Sequence, residues 1–110
     1  MPNLKLHVDD QLWPECQAAL AKALPGLRAL LCERFDVPPP ACQLAAFPVL
    51  GLADQPQVNA ELMILPRPER TREKVTAAAE AIRAYLGPIV QGHIAVRISQ
   101  LDAATYIALK

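Results

Sequence analysis

The chain opens Met1-Pro2-Asn3-Leu4-Lys5-Leu6-His7-Val8-Asp9-Asp10. Leu4, Leu6 and Val8 alternate with Lys5 and His7, the period-2 pattern of a strand that turns one face to a core. Asp9-Asp10 ends the strand and supplies an N-cap, with acid near the positive end of a following helix. A proline directly behind an initiator methionine is small enough for that methionine normally to be trimmed. Trimming leaves Pro2 as a secondary amine at the head of the strand. A chain-end amine titrates near ~8, and burial among apolar side chains disfavours its charged form and lowers that value. A general base works best when its pKa lies close to the operating pH. Pro2 is therefore the candidate base of the chain.

The pattern continues outward from this strand. Trp13, Cys16, Leu20, Leu24, Leu27 and Leu31 recur at three- and four-residue steps, one apolar face of a helix reaching about Phe35. Pro25-Gly26 predicts a bend in that helix or its division into two. Val37-Pro38-Pro39-Pro40 stops it. Cys42 to Val49 reads as a second strand, apolar on both faces, and Gly51 to Gln57 as a loop. Val58 to Leu65 reads as a third strand, with Val58, Ala60, Leu62 and Ile64 on one side. Pro66-Arg67-Pro68-Glu69 predicts the start of a second helix. Val75, Ala78, Ala79, Ile82 and Leu86 form its buried stripe, and Gly87-Pro88 is its expected end. His93 to Leu101 reads as a fourth strand. Asp102-Ala103-Ala104 turns the chain into a tail, Thr105 to Leu109.

Strand, helix and strand thus occur twice. The expected fold is α+β, a single domain over 1–110 with pseudo-repeats at 1–50 and 56–101 and a C-terminal tail at 102–110. Each β-α-β unit makes a parallel pair through a right-handed crossover, giving a four-stranded mixed sheet with two helices on one face. Strands apolar on both faces need cover on both, which predicts neighbouring subunits on the open face.

Composition narrows the function. Of 110 residues, 53% are hydrophobic and 20% charged, so apolar surface is available for an oligomer interface. Eleven basic residues balance eleven acidic ones, which points away from nucleic acid and anionic membranes. No apolar run approaches the ~20 residues of a membrane span, and no basic segment leads an apolar one as in a signal peptide. Cys16, Cys32 and Cys42 are odd in number and lack C-x-x-C spacing, so neither a disulfide framework nor a zinc site is expected, and a reducing cytoplasm suits them.

Pro2 heading a strand, the doubled β-α-β plan and the length together resemble the tautomerase superfamily. The family includes 4-oxalocrotonate tautomerase, 5-carboxymethyl-2-hydroxymuconate isomerase and macrophage migration inhibitory factor. Met1-Pro2, Val8-Asp9-Asp10 and Leu52-Ala53-Asp54 look most like the hydroxymuconate isomerase branch. Arg70-Thr71-Arg72-Glu73 resembles the Gly-Arg-Ser–acidic stretch that opens a helix in that branch. Leu101-Asp102-Ala103-Ala104 looks like the Met-Asn-Ala-Ala turn of the cytokine branch.

The resemblance implies a homotrimer with an active site at each subunit interface and no metal or other cofactor. It implies a tautomerase or double-bond isomerase moving a proton in a small unsaturated 2-hydroxy or 2-keto carboxylic acid, as in aromatic degradation, with Pro2 as general base and acid. An alternative on the same fold is a non-catalytic trimer that binds a ligand or partner.

With the first and third strands antiparallel, Pro2 lies beside Leu65, Pro66 and the start of the second helix, whose positive end favours an anion. A guanidinium grips a carboxylate with two parallel hydrogen bonds; Arg70, which matches the family stretch, is the first candidate for the substrate carboxylate and Arg67 the second. Arg97 interrupts the apolar fourth strand, and its resemblance to a position of the cytokine branch that lies near the neighbour's pocket makes it a further candidate, while Tyr106 can donate to a developing enolate. Relatives often carry a cation at the start of the second strand, where Gln43 and Leu44 stand here. That departure favours a monocarboxylate over a dicarboxylate substrate.

Overall fold

A computed structural model describes all 110 residues. The elements follow in the order β1 (Asn3–Asp9), α1 (Trp13–Phe35), β2 (Gln43–Val49), β3 (Val58–Ile64), α2 (Arg72–Val90) and β4 (Ile94–Gln100), with one 3-10 turn at Pro39–Ala41. β1 runs parallel to β2 and β3 runs parallel to β4, while β1 and β3 join the two units antiparallel at the centre. The sheet order is β2-β1-β3-β4. This is the expected pair of β-α-β units in one mixed sheet.

Register aligns the alternating side chains into rows. Leu44, Leu4, Leu62 and Ile98 form one row and Ala46, Leu6, Ala60 and Val96 the next, all on one face. Leu20, Leu27 and Leu31 of α1 and Ala78, Ile82 and Leu86 of α2 are buried with them in a single core. Fully burying a leucine-sized side chain stabilises the fold by about 1.5–3 kcal/mol, so this face dictates the register. The opposite face differs from expectation. It mixes Asn3, Lys5, His7, Asn59, Glu61 and Arg97 with Ala45, Phe47, Val49 and Met63, so β2 is apolar on both faces as expected while β1, β3 and β4 carry polar and charged side chains on the open one.

The helix ends also differ. α1 runs unbroken through Pro25-Gly26 for 23 residues. Its buried leucines continue on both sides of the proline, and Tyr85 of α2 donates its hydroxyl to the Ala23 carbonyl at 3.0 Å. α2 begins at Arg72 rather than at Pro66, because the Thr71 hydroxyl accepts from the Lys74 N–H and caps the first turn there. It continues past Gly87-Pro88 to Val90, since Leu86 and Val90 share the buried stripe while Pro88 is exposed. Gln91, at φ 51, ends it.

Gly26 has a packing role. A Cβ there would collide with the Tyr85 hydroxyl. Alanine gains about 1 kcal/mol of helix propensity over glycine, whereas overpacking costs about 1–3 kcal/mol and the lost Tyr85 hydrogen bond about 0.5–1.5 kcal/mol. Gly26→Ala is therefore expected to destabilise the chain by roughly 1–2 kcal/mol in urea unfolding. In a Tyr85→Phe background the same change should become neutral or stabilising.

Candidate active site

Pro2 stands one residue before β1 and is buried. Its carbonyl accepts the Gln43 N–H at 3.0 Å, which ties it to the start of β2. On its other side, the antiparallel pairing of Asn3 with Met63 brings it alongside the end of β3. It lines a cavity of about 520 Å³ together with Met1, Asn3, Gln43, Leu65, Tyr106 and Lys110. The tail reaches this cavity through a local turn. The Leu101 N–H donates to the Ile64 carbonyl at 2.8 Å, and Asp102 accepts from the backbone of Ala104, Thr105 and Tyr106.

The amine of Met1, at the mouth of the cavity, is held below its ordinary value of 8.0. Burial is the main cause, followed by the positive charges of Arg70, Lys110 and Arg67.

The five residues expected to accompany Pro2 separate into three groups. Leu65 and Tyr106 line its cavity. Arg67 and Arg70 lie close enough to repel a proton from the chain-end amine, but they face different surroundings. Arg67 is exposed, 4.0 Å from the Glu69 carboxylate. Arg70 is only 7% exposed. It donates to the Leu65 carbonyl at 2.6 Å and to the Phe35 carbonyl at 3.3 Å, and its guanidinium lies 5.4 Å from the centre of the Phe35 ring. Its Nε is buried without a partner. Arg70 thus braces the backbone that carries Leu65.

Arg97 lies apart, exposed on β4, where it donates to the Asn59 side chain on the open face of the sheet. The start of α2, expected beside Pro2, is set off from Leu65 by residues 66–71. Gln43, Asn3 and Lys110 line the cavity without having been candidates. Gln43 was legible in principle, because a parallel first pair opposes Asn3 to Gln43. Nothing in the local pattern points to Lys110.

The four-stranded mixed β2-β1-β3-β4 sheet with two helices on one face is the architecture of tautomerase-fold structures. Solved structures with this fold align over nearly the whole chain. One is a 5-carboxymethyl-2-hydroxymuconate isomerase from Deinococcus radiodurans R1, 22% identical, TM-score 0.77, covering 98% of this chain and 88% of that one. A fused 4-OT solved as a wild-type asymmetric trimer is 12% identical, TM-score 0.74, covering 96% and 91%. Malonate semialdehyde decarboxylase is 13% identical, TM-score 0.63, covering 97% and 90%. No family model matches the sequence, and no curated protein matches it significantly. At these identities the likeness is one of fold.

Proposed function

We propose that this chain is a tautomerase or isomerase that moves a proton within a small unsaturated 2-hydroxy or 2-keto carboxylic acid, with Pro2 as base. The observation that carries the reading is the burial of Pro2 in the wall of a cavity where a chain-end amine is pushed below its usual pKa. With Met1 removed, the Pro2 nitrogen becomes that amine. A neutral amine takes the proton alpha to the carbonyl, and the resulting ammonium returns it at the other end of the enol system. Tyr106 donates to the developing enolate oxygen. Arg67, with Arg70 behind it, holds the carboxylate, Leu65 forms the apolar wall, and Arg97 serves a neighbouring subunit's cavity. The chain works as a homotrimer in a reducing cytoplasm. The exposed side chains of Leu50, Leu52, Ile107 and Leu109 supply apolar surface for such an assembly, and the fused 4-OT of the same fold was solved as a trimer.

The test is ketonisation of phenylenolpyruvate by protein whose intact mass shows Pro2 as the first residue. The base acts only when deprotonated, so kcat/KM is expected to rise with pH and reach its plateau. Burial and nearby cations lower the Met1 amine at this cavity, and the Pro2 amine would lie in the same wall, so the midpoint of that rise should fall below the ~8 of a free chain end. Protein beginning at Pro2 that shows no ketonisation of phenylenolpyruvate or of 2-hydroxymuconate would refute the reading.

A further inference from the structure

Two of the three thiols meet. Cys32, near the end of α1, and Cys42, directly before β2, place their sulfurs 3.7 Å apart. The backbone fixes both. The Cys32 carbonyl accepts the Asp36 N–H and the Val37 N–H where α1 ends in a left-handed residue. The Cys42 N–H donates to the Pro39 carbonyl at 3.0 Å. Between them Pro38, Pro39 and Pro40 have locked φ angles, so the connector has little freedom to separate the pair. A disulfide requires a sulfur separation of about 2.0 Å with Cβ atoms roughly 3.8 Å apart. The two sulfurs are already in van der Waals contact.

The pair is also accessible. Cys32 is half-buried, and a groove of about 450 Å³ whose lining includes Leu24, Arg28 and Cys42 leads to the second thiol. Arg28 lies one helical turn before Cys32 and lines the same groove. Cys16, by contrast, is buried alone in the core.

We propose that Cys32 and Cys42 form a redox-modified dithiol, which a hydroperoxide converts into a reversible disulfide. Cys32, the more exposed, attacks the O–O bond as thiolate. It becomes a sulfenic acid, and the peroxide leaves as water, or as an alcohol from an organic hydroperoxide. Cys42 then attacks the Cys32 sulfur. The S–S bond forms as the S–O bond breaks, and the departing hydroxide takes the Cys42 proton to leave as water. Two thiols lose two electrons and one hydroperoxide gains them. A small-molecule thiol reverses the change in two exchange steps. Cys42 is buried and Cys32 is the more exposed of the two, which gives the first attack to Cys32 and the resolving one to Cys42. Burial, with the Cys32 thiol beside it, also pushes the Cys42 thiol up to about 11. Because Cys42 precedes Gln43, whose N–H holds the Pro2 carbonyl, the disulfide would fasten the end of α1 to the rim of the Pro2 cavity.

The experiment is brief treatment of the folded, reduced chain with hydrogen peroxide, followed by alkylation and peptide mapping without reductant. The expected product is a Cys32–Cys42 linked peptide within one chain, an intact mass lower by two hydrogens, and Cys16 recovered as the alkylated thiol. Dithiothreitol should restore the starting mass. Cys42→Ser should yield oxygen adducts at Cys32 and no loss of hydrogens. The wild-type map decides the matter by itself if that variant fails to fold. Cys32 and Cys42 recovered in separate peptides, whether alkylated, over-oxidised or cross-linked between chains, would overturn the proposal.

Discussion

Pro2→Ala is expected to lower kcat/KM for ketonisation of phenylenolpyruvate by about 10²–10⁴-fold, the usual contribution of one positioned base. The variant is a demanding control. Alanine is as small as the processing step requires, so the methionine is still trimmed and an amine still heads the chain. What is lost is the ring, which ties the nitrogen to the side chain and presents a secondary amine in a set direction. Pro2 is buried with its carbonyl held by Gln43, so its nitrogen is placed by the fold rather than by a flexible chain end. A primary amine free to turn away from the cavity loses that placement, and a displaced catalytic group costs orders of magnitude in rate. Far-ultraviolet circular dichroism and the unfolding midpoint should change little. Equal rates for wild type and Pro2→Ala would end the catalytic reading.

Arg70→Ala should act on stability first. The guanidinium is buried and satisfies the carbonyls of Leu65 and Phe35. Hydrogen bonds to a charged group are each worth about 1.5–3 kcal/mol, and carbonyls left unpaired add their desolvation cost. The stacking on Phe35 adds about 1 kcal/mol. These terms overlap, so the expected loss is on the order of 2–4 kcal/mol in urea unfolding. Arg70→Lys should recover part of it, because lysine keeps the charge but lacks the fork that spans both carbonyls. The catalytic effect should be secondary, a rise in KM larger than the fall in kcat. Losing this cation also raises the amine pKa, so the pH midpoint of kcat/KM should move upward. A variant with unchanged stability and a raised KM alone would place Arg70 on the substrate rather than on the backbone.

The same arginine shows where reading the sequence succeeds and where it stops. The tripeptide Arg70-Thr71-Arg72 marks a helix start, and Thr71 does cap one. The proline at 66 and the charged residues after it suggested an earlier start, because proline suits a first turn whether or not a helix follows. Only a capping bond decides between the two positions. Likewise Gly87-Pro88 is a stop signal by composition, yet the burial of Leu86 and Val90 carries α2 past it. Tertiary packing outweighs a local propensity of that size.

Taken alone, the order of residues determined the four strands, the two helices, the shared buried face and the proline at the head of the first strand. The helices and three of the strands follow from side-chain periodicity over two or 3.6 residues and the second strand from its apolar run, all local properties of the chain. Tertiary structure decided that Arg70 turns inward to Phe35, that Arg97 lies apart from Pro2 and that Lys110 lines the cavity. It also brought Cys32 against Cys42. Each of these depends on which distant segments the core draws together, and a long or polar side chain takes its direction from those neighbours rather than from its place in the sequence.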